Sequence, residues 1–206
     1  MRAFLDGRSI DVPDGSVATA IATARAAAGA SGRIVVDILV DGERLDDEAL
    51  DAPSTLPAGD IELKCISADP RQLVAESFTD VANALANARP VQREAAEALQ
   101  TGKLDAAFES LTGVLEVWDA VHRVTDQGPA LLGVPLAALA AGSSGERQGV
   151  QAELALLSDT LQQVKDAVAT QDWSTLADLL SHELDGAADR WSKLLLALAQ
   201  RAKGGV

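Results

Sequence analysis

The sequence predicts an α+β chain in two parts, a small strand-rich module over residues 1–68 and a mainly antiparallel four-helix bundle over residues 69–206. Three observations lead there. Alternating and β-branched runs are confined to the first third of the chain. Beyond them, apolar residues recur at three- and four-residue steps over long stretches. The composition, rich in Ala and Leu with no Tyr and 3% aromatics, favours helix packing over an all-β sandwich.

Arg2 to Asp6 alternates as a strand, and Gly7-Arg8 makes a tight turn into a second strand, Ser9-Ile10-Asp11-Val12. Asp14 or Ser16 is placed to cap a helix running from about Val17 to Ala28, with Val17, Ile21 and Ala24 on one face. Gly29 to Gly32 stops that helix. Arg33 to Val40 is dense in β-branched residues and reads as a strand; Asp41-Gly42 turns it into a short strand at Glu43-Arg44-Leu45. A polar excursion then leads to the alternating strand Ile61 to Ile66.

The run Ile38-Leu39-Val40-Asp41-Gly42-Glu43-Arg44-Leu45-Asp46-Asp47, with Leu50, Leu56-Pro57 and Asp60-Ile61-Glu62-Leu63, resembles the second half of ubiquitin-like β-grasp modules. The resemblance covers about one third of the chain and implies a fold rather than an activity. Conjugating members of that group end the module in a glycine pair. Here Ser67-Ala68-Asp69-Pro70 follows the last strand, and Gly204-Gly205-Val206 reads as a helix cap instead.

Asp69-Pro70-Arg71-Gln72 opens the first long helix, with Asp as cap, Pro at the first position and Gln at capping-box spacing. Val74, Phe78, Val81, Leu85 and Ala88 form its apolar stripe, and Pro90 is expected to kink or split it. The second stripe is Leu104, Phe108, Leu111, Leu115, Trp118, His122 and Thr125, ending at Gln127-Gly128-Pro129. Residues at about 128–149 are expected to form an irregular loop, in which Leu131-Leu132 and Val134 to Ala141 read as a short apolar helix or a packed loop and Gly142-Ser143-Ser144-Gly145 as a tether. A third stripe runs Leu154, Leu157, Leu161, Val164, Val168. The fourth, capped by Asp172, runs Trp173, Leu176, Leu180, Leu184, Ala187, Trp191, Leu194, Leu198. The starts at Asp69 to Leu73, Thr101 to Ala107 and Gln171 to Leu176 make this half loosely similar to flagellar export chaperones, which implies a helical bundle that holds a disordered partner segment.

Several chemistries lack their residues. The net charge of −14 disfavours nucleic acid and anionic membrane surfaces as partners. Cys65 is the only cysteine, so no intrachain disulfide or thiolate metal cluster forms. His182-Glu183 begins like a zinc-protease motif but has no histidine four residues after His182. His122 lies on an apolar stripe and reads as a core residue. Gly142, Gly145 and Gly149 fit no phosphate loop, and Asp46, Asp47 and Glu48 sit in a polar loop where they stay solvated. The start of the chain lacks a signal peptide's apolar core, and no apolar run is long enough to span a membrane, so a cytoplasmic location is expected.

The expectation is therefore a non-catalytic protein–protein interaction module, a chaperone or adaptor binding a partner segment on the helical bundle, with no cofactor and no metal. A homo-oligomeric structural protein and an enzyme with an unrecognised site are the alternatives. Trp118, Trp173 and Trp191 are the large anchors: core packing is one reading, and a partner-binding surface is the other.

Overall fold

A computed structural model describes residues 1–46, 49–50, 52–54, 58–140 and 144–204, with 144–148 described by their backbone alone. Asp47-Glu48, Leu56-Pro57, Gly142-Ser143 and Gly205-Val206, singled out above, lie outside the described residues. The described chain is α+β and divides into two units, Met1–Leu73 and Val74–Val206.

In the first unit, β1 (Arg2–Leu5) and β2 (Arg8–Ile10) precede helix α1 (Val17–Ala30); β3 (Ile34–Val40), β4 (Glu43–Arg44) and β5 (Glu62–Ala68) follow. Among the described residues these strands build one five-stranded mixed sheet in the order β2-β1-β5-β3-β4. The β1–β5 pair is parallel and the others antiparallel. Both hairpins turn on an Asp-Gly pair with positive φ, Asp6 at 50° and Gly7 at 78°, Asp41 at 50° and Gly42 at 88°. The first turn thus sits one residue earlier than expected, because two left-handed residues match the twist of the flanking strands. Asp tolerates that region, and Gly has no Cβ to oppose it.

Ser16 caps α1, its Oγ accepting from the Thr19 amide at 3.2 Å, while Asp14 accepts from both the Ser16 and Thr19 hydroxyls. Val17, Ala20, Ile21 and Ala24 of this helix pack on Ala3, Ile38, Leu63 and Cys65 of the sheet. Asp6 ties the first turn to β5, accepting from the Ser67 amide and hydroxyl, and Arg33 donates to the same hydroxyl. The outer edge of β3 has only a short partner strand and is partly filled from within. β4 pairs only with Leu39 and Val40, a bulge interrupts the strand between Val35 and Asp37, and the Ile38 amide donates to Asp37 Oδ1 at 3.0 Å. Arg44 Nε holds that carboxylate oxygen at 2.8 Å.

Helical elements α2 (Pro70–Gln100), α3 (Leu104–Leu131), α4 (Leu136–Leu139), α5 (Ser144–Thr170), α6 (Trp173–Asp178) and α7 (Asp185–Gly204) follow. A π-helical segment, Leu179–Leu184, joins α6 to α7. Asp69 and Asp172 cap α2 and α6, accepting from the Arg71 amide at 2.8 Å and the Thr175 amide at 3.0 Å.

Four expectations are corrected here. Pro90 does not split α2; it and Ala86, whose carbonyl loses its partner, both face solvent, where water replaces the missing bond. Gly128-Pro129 does not end α3, which continues to Leu131 because Pro129 lies in its last turn and its carbonyl accepts from the Leu132 and Val134 amides. The irregular stretch expected at about 128–149 is mostly helical: 128–131 belongs to α3 and 144–149 to α5, while α4 at 136–139 is the short apolar helix that is one reading of Val134 to Ala141. Finally, the fourth stripe is not one straight α-helix. Leu176, Leu180, Leu184 and Ala188 are buried at three successive four-residue steps. Each such step overshoots an α-helical turn by about 40°. The wider turn of the π segment absorbs the excess and keeps the four side chains on one face.

The helical core gathers Phe78, Leu85, Leu111, Trp118, Leu180 and Trp191 among many alanines. Arg89 of α2 forks onto Asp185 of α7, Nε to Oδ1 at 3.0 Å and a terminal nitrogen to Oδ2 at 2.8 Å. That pairing holds the Asp185 carboxyl below the usual carboxylate range. Close helix approach is visible at Gly128, where a Cβ would meet Phe78 Cζ and Val74 Cγ1 at 3.3 Å.

Three substitutions test this packing. Replacing Gly113, which has open space, by Ala should raise stability by about 0.5–1 kcal/mol through helix propensity. Gly128→Ala should lose that gain to overpacking against buried Phe78 and end destabilised by about 1 kcal/mol, read by denaturant unfolding. The Asp185 contribution is complete above its unfolded value of about 4 and is lost as pH falls through the lower folded value. Arg89→Ala should therefore cost about 1 kcal/mol at pH near 7, since the pair is partly exposed, and flatten the loss of stability below pH of about 4.

Candidate functional site

Helix α3 carries more apolar surface than the core takes up. Its buried line is Ala107, Leu111, Val114, Trp118, Val121 and Thr125. Leu115 and His122 fall on the flanking line, and Leu115 is 38% exposed. His122 is thus an exposed residue, correcting its reading as core: Val121 and Thr125 complete the buried face beyond Trp118, and His122 is turned past it. On α5, Leu157, Val164 and Ala167 are buried, while Leu161 and Val168 are partly covered.

Between these helices lies an open groove of about 490 Å³. Trp118 and Val164, at 1% and 3% exposure, form its floor. Leu115, Leu161 and Val168 line its walls, and Asp119, His122 and Lys165 form its polar rim. Asp119 pairs with Arg123 one turn further along α3 at 2.6 Å. The arrangement suits an apolar ligand face flanked by charge.

The three indoles divide between two environments. Trp118 is buried, and its Nε1 donates to Oε1 of the fully buried Gln92 at 3.3 Å. Trp191 is buried completely in the core. Trp173 is partly buried and meets Phe108 edge-on, ring centroids 5.4 Å apart at 85°. Of the three, Trp118 alone lines the groove, from beneath. The exposed Leu115 is the residue that sequence reasoning misses. Its signal is a stripe broader than one buried line requires, with Val114 and Leu115, and again Val121 and His122, side by side.

Cys65 and His182 are the other chemical candidates. Burial pushes the Cys65 thiol up to about 11, away from the thiolate a nucleophile needs. His182 is exposed on the π segment and borders a polar depression with Thr160, Asp178 and Glu183. Among the described residues no three His, Cys, Asp or Glu side chains converge on a metal position. No helix among them is long and apolar enough to cross a membrane.

Unfolding of single variants separates the indoles by environment. Trp118→Ala and Trp191→Ala should each cost about 3–5 kcal/mol, as loss of a fully buried ring does. Trp173→Ala should cost clearly less, chiefly its edge-on contact, worth about 0.5–1.5 kcal/mol, and the area it partly buries.

The family model described as a domain of unknown function, DUF8042, matches residues 76–194. That stretch is more than half of the chain and includes every residue lining the groove. No curated protein and no solved structure matches. The chain belongs to the DUF8042 family.

Proposed function

We propose that the protein is a non-catalytic protein-interaction module whose helical unit takes an amphipathic helix into the groove between α3 and α5. The observation that carries this reading is the groove itself: a buried indole floor, apolar walls with Leu115 exposed, and charge only at the rim. Helix-in-groove recognition uses such a surface, because an apolar stripe fills the cleft while flanking polar residues stay wet. The high Cys65 thiol pKa and the separation of His122 from His182 favour binding over catalysis. The sequence resemblance to export chaperones would make the bound helix part of a disordered substrate. The groove supports the more general reading of an amphipathic helix.

We further propose that the first unit is a ubiquitin-like β-grasp module. The strand order β2-β1-β5-β3-β4, with parallel β1 and β5 at its centre and α1 connecting β2 to β3, supports this. For the second unit we propose a mainly antiparallel four-helix bundle of α2, α3, α5 and the α6–π–α7 arm. Its support is the single core to which all four contribute.

A photo-crosslinking residue in place of Leu115, introduced in the source cells, tests the interaction reading. A discrete adduct heavier than the chain is expected. Absence of any adduct, with the variant folded, would overturn it.

A further inference from the structure

We infer that Asp41 is a self-modifying site: its side chain and the Gly42 amide close to a succinimide, which reopens as isoaspartate and loosens the β3–β4 hairpin. The chain holds four Asp-Gly pairs, beginning at Asp6, Asp14, Asp41 and Asp185. Each is a candidate, because no Cβ on the glycine shields its amide nitrogen. They differ in what restrains the carboxylate.

The pairs at Asp6 and Asp41 are matched. Both turn a hairpin with the same left-handed backbone, each Asp at φ 50° and the glycines at 78° and 88°. At both glycines a Cβ would meet nothing within 4 Å, so there is room for the ring. Asp6, however, accepts from the Ser67 hydroxyl at 2.6 Å and the Ser67 amide at 2.8 Å, with Arg33 at 3.8 Å. The two Ser67 bonds hold its carboxyl below the usual carboxylate range, in the ionised form that gives up an oxygen least readily. Asp41 is exposed, and among the described residues its carboxylate accepts only from the Glu62 amide, at 2.8 Å. Asp14 accepts from the Ser16 amide and from the Ser16 and Thr19 hydroxyls. Asp185 is forked by Arg89 at the start of α7. Of the four carboxyls, that of Asp41 is the one freest to swing onto the next amide.

The chemistry needs no co-reactant but water. The Gly42 nitrogen attacks Asp41 Cγ, a C–N bond forms, and the amide proton leaves with the carboxyl hydroxyl as water. A water molecule then opens the ring. Entry at Cγ restores aspartate, whereas entry at the former main-chain carbonyl leaves the chain running through Cβ and Cγ. That second product lengthens a two-residue turn by one methylene and pulls Val40 and Glu43 out of register. β4 consists of Glu43 and Arg44 alone, so the Arg44 grip on Asp37 loosens with it.

Ageing the purified full chain in warm, mildly acidic heavy-oxygen water, then digesting it in ordinary water for peptide mapping, tests the inference. Each site that has passed through the ring takes up heavy oxygen. Asp41 should react at least about tenfold faster than Asp6, which must first break one more hydrogen bond to a charged group. Ser67→Ala, checked for folding by circular dichroism, should bring Asp6 toward the Asp41 rate. In urea, where all four carboxylates lose their partners, the rates should converge. The Leu45 amide, which donates to the Ile38 carbonyl at 2.9 Å, should gain a fast-exchanging fraction equal to the isomerised one. Equal rates at Asp6 and Asp41 in the folded chain, a folded Ser67→Ala in which Asp6 stays as slow, or an order that persists in urea would each overturn the assignment. Unchanged exchange at Leu45 would overturn the loosening of the hairpin.

Discussion

The second unit depends on two indoles filling space that its other side chains cannot. Its helices meet through alanines, among them Ala75, Ala82, Ala95, Ala96, Ala107 and Ala188, which let backbones approach but contribute little volume. Trp118 and Trp191 supply much of that volume, both buried to within 1% of their surface. A large ring in a core of small residues allows few arrangements of the helices around it. Gln92 adds a direction to that constraint, because Trp118 Nε1 has to point at its amide oxygen on α2. The groove is a consequence of the same arrangement: the indole that fixes α3 also lies under the cleft between α3 and α5.

Features set by neighbours in sequence are legible in the residues alone. The Asp-Gly turn at Asp41-Gly42, the caps at Ser16, Asp69 and Asp172, and the alternating strand, read at Ile61 to Ile66 and found at Glu62–Ala68, each depend on a few adjacent residues. The long amphipathic helices are legible for a related reason, since a repeating stripe carries its signal over many turns. Pro90 misleads because a proline's effect depends on which face it occupies. On the solvent face of α2 the lost hydrogen bond is made good by water.

What escapes a reading of the sequence is set by tertiary packing. On α3 two apolar lines run side by side, and both pass through Leu111, Trp118 and Thr125. Periodicity cannot choose between them, so it places Leu115 and His122 in a core that takes Val114 and Val121 instead. In the fourth stripe the three successive four-residue steps from Leu176 to Ala188 are present in the letters, but only the demand to keep one face buried turns them into a π segment. Gly128 reads as a terminator and is instead the gap into which Phe78 and Val74 fit. Each of these residues takes its role from what lies opposite it.

At the far side of β3 the Ile38 amide is occupied by the Asp37 carboxylate, itself held by Arg44, beside a bulge at Val36. An edge left open there would template the addition of strand after strand from other molecules, and the exposed Val36 would make such stacking favourable. Filling the edge amide from within its own strand removes one hydrogen bond that an added strand would make there. The consequence is local: at Ile38 the β3 edge offers an added strand no free donor, and the bulge beside it puts the edge out of step with one.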